Sequence, residues 1–165
     1  MACSAACAGR SRSRPLSIEH SATTEPSVTT AEDAYHELCY YTLAHGAPTF
    51  VHQHVVDAFA AQYATAETKP IKLTFALMGL YLHLERGFTG RQVQLAHMAL
   101  AKRTRSWPTF ALPVNRGAIT AADVLAAPPG PERDRAIDTW CAAVWGAYVG
   151  SRGQVEELLA RYDII

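Results

Sequence analysis

The sequence predicts an all-α, single-domain bundle of about six helices. Three observations predict it: apolar residues recur at helical rather than strand spacing, Gly and Pro fall between those runs, and capping residues open several of them. The chain has 165 residues, 49% hydrophobic and 18% charged, a length that suits one core and a composition able to fill it. Residues 1–30 are rich in Ser, Ala, Thr and Arg without a sustained apolar period, so they read as a disordered tail that cannot bury enough surface to offset the entropy of ordering. The helical domain is then 31–165.

The first helix is expected from Thr30 to Gly46, with Glu32 and Asp33 favoured in its first turn by the helix dipole and Tyr35, Leu38, Cys39 and Thr42 as its inward stripe. A second starts after Pro48 and runs to about Ala64. At about 100° per residue, Val51, Val55, Val56, Ala58 and Phe59 share one face, with His52 and Gln62 inside it and Asp57 roughly opposite. The third opens near Pro70 and closes at Gly87. It is apolar nearly all round between Leu73 and Leu84, the mark of a central helix. Ala76, Gly79 and His83 lie on one side of it, where a neighbour can approach closely. The fourth, capped by Thr89, buries Val93, Ala96, His97 and Leu100.

Residues 105–119 break the helical period with Trp107, Pro108, Pro113 and Gly117 and form a candidate lid. A short capped helix follows from Thr120 to about Ala127. After the Pro128–Pro131 run comes a helix with Ile137, Trp140, Val144 and Tyr148 inward. Ser151 and Gln154 fit a capping box for the last helix, which buries Val155, Leu158, Leu159 and Tyr162.

Charge excludes several functions. Fifteen basic residues balance fifteen acidic ones, so no global field draws the chain to nucleic acid or anionic lipid. The apolar run Leu73–Leu84 is shorter than the roughly 20 residues a membrane helix needs, and Arg10, Arg12 and Arg14 precede no apolar stretch of a secretory signal. The expected location is the cytoplasm, with no nucleic-acid or membrane partner. Cys3 and Cys7 fall in the tail while Cys39 and Cys141 fall in helical patterns, which suits free thiols better than a disulfide scaffold. The Cys3 and Cys7 pair has the form of half a zinc site, but no second pair follows.

Phosphate-loop, dinucleotide-binding, zinc-protease and serine-hydrolase signatures are missing. What remains is a concentration of histidines, with six of the seven between His36 and His97. His52, His83 and His97 occupy different helices on inward faces, so a divalent transition metal in the bundle core is one candidate cofactor. Set against it, a single histidine on an apolar face is ordinarily a hydrogen-bonded core residue. Gln53 and His54 are both spaced to meet Asp57 in a local hydrogen bond. Gln62 is more informative, because an unpaired buried amide costs roughly 1–3 kcal/mol. Only a third group, a water or a ligand, would link it to His52 along the same face.

The segment His52-Gln53-His54-Val55-Val56-Asp57-Ala58-Phe59-Ala60-Ala61-Gln62, followed by Leu77-Met78-Gly79-Leu80 and Glu85-Arg86-Gly87, resembles an uncharacterised bacterial family, domain of unknown function 5946. Its pattern falls on His52, Asp57, Phe59, Gln62, Leu80, Glu85 and Gly87, with Cys39 matching an upstream cysteine, and the similarity covers about residues 31–150. The chain departs from the commoner pattern at Tyr63-Ala64, where many relatives have His-Pro, at Ala76, where they have His, and in lacking a Cys-Pro-x-Cys start. The resemblance implies a bounded bacterial domain and the importance of the His52, Asp57 and Gln62 set, and no activity.

Two functions fit. One is a protein, enzymatic or not, binding a small molecule or metal around His52, Asp57, Gln62 and Cys39, roofed by the loop from Trp107 to Gly117. The other is a non-catalytic interaction or structural protein whose Trp140, Trp145 and Tyr148 supply a partner surface.

Overall fold

The computed structural model describes residues 30–45 and 48–165. The expected tail, Cys3, Cys7 and the helix end at Gly46 lie outside the described residues. Among the described residues, seven α-helices and no strand make up the fold: α1 (Ala31–Ala44), α2 (His52–Gln62), α3 (Pro70–Arg86), α4 (Gly90–Arg103), α5 (Ala121–Ala126), α6 (Pro131–Ala147) and α7 (Arg152–Arg161).

Local chemistry sets most of the boundaries. Thr30 opens α1, its hydroxyl accepting from the Asp33 N–H at 3.1 Å while the Asp33 carboxylate accepts from the Thr30 N–H at 3.2 Å. The same reciprocal box forms between Thr89 and Gln92 at α4 and between Thr120 and Asp123 at α5. Pro70 and Pro131 occupy the first turns of α3 and α6, where a missing N–H costs nothing. Gly87 ends α3 in the left-handed region at φ 68°, which lets the Phe88 N–H turn back to the Leu82 carbonyl at 2.9 Å. The expected box at Ser151 does not form. Ser151 belongs to a 3-10 turn, Val149–Ser151, that runs directly into α7, and its helical backbone gives its side chain no capping bond.

One continuous apolar cluster joins the helices, with α2 and α3 at its centre. From Leu73 to Leu82 every residue of α3 except Phe75 is buried, because α2, α4, α6 and α7 all pack on it. Helix α2 has no side-chain cap, yet seven of its eleven residues are buried; it is held by packing against α1, α3, α4 and α6. Its alanines, Ala58, Ala60 and Ala61, permit that close packing. His54 stacks on His83 and Asp57 abuts Gly79, so numbers rise along α2 as they fall along α3 and the two helices are antiparallel.

Trp140, Trp145 and Tyr148 offer no partner surface; all three are buried. Each polar tip has an internal acceptor: the Trp140 indole donates to Gln62 Oε1 at 2.9 Å, the Trp145 indole to Glu85 Oε1 at 2.8 Å, and the Tyr148 hydroxyl to the Ala61 carbonyl at 2.9 Å. Once those tips are satisfied inside, nothing opposes burying the rings.

The segment between α4 and α5 is a strap over the α2–α3 turn. Trp107 packs edge-on against Phe75, Gln154 donates to the Thr109 carbonyl at 3.1 Å, and Gln62 donates to the Ile119 carbonyl at 2.7 Å, with the Gly117 carbonyl at 3.4 Å. Gln62 thus clamps the strap to α6 through Trp140. Gln62→Leu preserves volume but orphans the Trp140 indole and the Ile119 carbonyl, so it should cost roughly 1–3 kcal/mol in chemical denaturation. A leucine variant as stable as its parent would show that the strap holds without the amide.

Candidate functional site

Five residues separate His52 from Asp57 and Asp57 from Gln62, so successive members turn by about 140° around α2 and face three different neighbours. His52 faces α1. Its Nδ1 lies 3.0 Å from the Thr42 hydroxyl, which spends its one proton on the Leu38 or Cys39 carbonyl, so the imidazole is the donor. Burial lowers the His52 pKa. Gln62 faces the strap and α6. Cys39 sits half-buried on α1, one turn from Tyr35, and burial pushes both the thiol and the phenol up. These four residues are distributed over separate contacts rather than around one cavity.

Asp57 faces α3 and α4 and is fully enclosed. Gln53 donates to its Oδ1 at 3.0 Å, and its Oδ2 meets no partner. A Cβ added at Gly79 would lie 2.0 Å from that Oδ2, so the carboxyl occupies the space a side chain on α3 would take. Burial raises its pKa well above the usual carboxylate range, against a smaller opposing effect of the Gln53 bond.

The three histidines proposed as metal ligands go to different places. His97 donates from Nε2 to the Phe75 carbonyl at 3.0 Å and stacks on the Phe75 ring, while His52 belongs to the α1 contact and His83 to α6. Among the described residues, no group of three or more His, Cys, Asp or Glu side chains is arranged to hold a metal ion.

What converges instead is His54, His83 and Asp138. The His54 and His83 rings stack with centroids 3.7 Å apart and planes 18° apart. His83 has Nε2 3.0 Å from Asp138 Oδ1 and Nδ1 3.3 Å from the Phe88 carbonyl, so both its nitrogens face acceptors. His54 differs, for its Nδ1 is buried without a partner. Burial, reinforced by the charge of His83, holds the His54 pKa down at about 3, so this ring is a neutral imidazole at ordinary pH. The two rings line a cleft of about 270 Å³ with Val51, Phe88, Thr89 and Asp138. It opens at the start of α2, about 12 Å along the helix from Gln62, so the strap does not roof it. His54 was legible only as part of a local pair with Asp57; the signal for its burial is the stripe His54, Asp57, Ala58, Ala61 at helical spacing, which its polar members obscure.

The fold and cleft together define an all-helical protein with a stacked histidine pair, one ring buried and one half-buried, between the start of α2 and the end of α3. The chain belongs to the family of unknown function DUF5946, which it matches over residues 7–149, a span that reaches further toward the N-terminus than expected and stops short of α7. No curated protein matches it, and no solved structure does.

Two measurements test this geometry. Gly79→Ala should destabilise by about 1–3 kcal/mol through overpacking, and should cost less in an Asp57→Ala background, where the blocking carboxyl is gone. Equal costs in both backgrounds would place the clash elsewhere. The second measurement is stability against pH. His54 and His97, held at about 3 and about 4, contribute stability that is present above the ordinary histidine pKa and lost as pH falls from there through those values. Asp57 has the opposite sign: its raised pKa gives stability present below the usual carboxylate range and lost as pH rises through its folded value. Asp57→Asn keeps the Gln53 bond and cannot ionise, so its melting temperature relative to the parent should climb as pH rises from 4, then level off. A difference independent of pH would mean that Asp57 is not a buried neutral acid.

Proposed function

We propose that the protein binds a small polar ligand in the cleft at His54, His83 and Asp138. The observation that carries this reading is His54, a neutral ring in the cleft wall with a buried, unpartnered nitrogen, since such a group costs stability unless something else repays it. Asp138 and the Phe88 carbonyl hold His83, and His83 holds His54 by stacking. A neutral imidazole carries no charge and pairs through a single donor or acceptor at the nitrogen a ligand can reach, which suits a primary amide or a neutral nitrogen heterocycle better than an anion. Binding rather than turnover fits the geometry, because a His–Asp pair acting as a base needs its second nitrogen free and the Phe88 carbonyl occupies that of His83.

In this reading His52, Asp57 and Gln62 are internal ties that set the position of α2, and Cys39 lies outside the cleft. The setting is a bacterial cytoplasm, where free thiols such as Cys39 and Cys141 persist. The test is a thermal-shift panel of urea, primary amides and neutral nitrogen heterocycles on the parent and on His54→Phe, which keeps a stacking ring and removes the nitrogens. Compounds that stabilise the parent and not the variant are expected. A panel that shifts neither, or both equally, would remove the cleft from consideration.

A further inference from the structure

Among the described residues, the large exposed apolar side chains within α-helices fall in two pairs. Tyr40 (75% exposed) and Leu43 (55%) lie on α1, and Leu95 and Met98 (51% each) lie on α4. Each pair is spaced i, i+3 and forms one outward patch. The charges around the patches are opposite and unmixed. Helix α1 carries Glu32, Asp33 and Glu37 with no Lys or Arg, whereas α4 carries Arg91, Lys102 and Arg103 with no Asp or Glu. Asp33 is used in the α1 cap, and Arg103 donates to the Tyr162 and Asp163 carbonyls. Among the described residues, Glu37 and Lys102 take part in no ion pair.

We propose that these faces are the two halves of a self-association interface, α1 of one copy lying antiparallel on α4 of a second. Both helices are 14 residues long, so their lengths match. Placing Tyr40 over Met98 and Leu43 over Leu95 brings Glu37 within one residue of the position opposite Lys102, within reach of its long side chain. The antiparallel direction also sets the dipoles head to tail, which is favourable. A formal net charge of zero leaves no long-range repulsion to oppose association. A second copy is favoured over an unrelated partner because one chain supplies both complementary faces. If α1 and α4 of both copies engage reciprocally the interface is isologous and closes as a two-fold dimer; if only one pair engages it is heterologous and forms a ring or an open chain.

Sedimentation equilibrium of the full chain over a range of concentrations, at low and at high salt, tests this without reference to the cleft or its ligand. Reversible association that weakens with salt is expected. Leu95→Glu with Met98→Glu should give a monomer. Glu37→Lys and Lys102→Glu should each weaken association roughly tenfold at low salt, because each sets like charges opposite one another, and the double variant Glu37→Lys, Lys102→Glu should restore it. All four positions are exposed, and circular dichroism checks that each variant folds. A chain monomeric at every concentration, an oligomer indifferent to either reversal, or a double variant no better than the singles overturns the proposal.

Discussion

The structure depends on burying a helix that does not have an apolar sequence. Helix α2 lies at the junction of α1, α3, α4 and α6, and carries His52, His54, Asp57 and Gln62 among small and branched apolar residues. A helix buried on all sides needs a partner for each polar group, and those partners must come from different directions. His52 finds Thr42 and Gln62 finds Trp140 and the strap. The polar residues therefore orient the surrounding helices by demanding specific donors and acceptors, a constraint that apolar packing alone would leave loose.

Two groups are exceptions. Asp57 Oδ2 and His54 Nδ1 are buried and unpartnered one turn apart on α2, both against α3, where Gly79 and His83 receive them. Burial disfavours the charged form of each, because charging it would leave an uncompensated ion in the interior. Their expense is carried by the apolar core on either side, and only His54 adjoins a cleft. The arrangement separates an enclosed acid from a ring in the wall of a cleft, although both sit on the same helix.

How much was legible varies with the range of the interaction. Helix starts at Thr30, Thr89 and Thr120 were readable because a cap and its partner are three residues apart. The small-residue side of α3 at Gly79 and His83 was readable as a place of close approach, but not its occupant. Gln62 was readable as a group in need of partners, and Ile119 and Trp140 supply them from 57 and 78 residues away. Ser151 misled because a Ser-x-x-Gln spacing does not report the backbone angle that capping requires.

By itself the sequence determined the helices and most of the apolar faces they bury, because these follow from residues within a few turns of one another. Tertiary structure decided which polar residues meet. His52, Asp57 and Gln62 stand together as a motif yet diverge in space, because five residues advance a helix by more than one turn. His54, His83 and Asp138, scattered over more than eighty residues, converge because α2 and α6 both pack on α3.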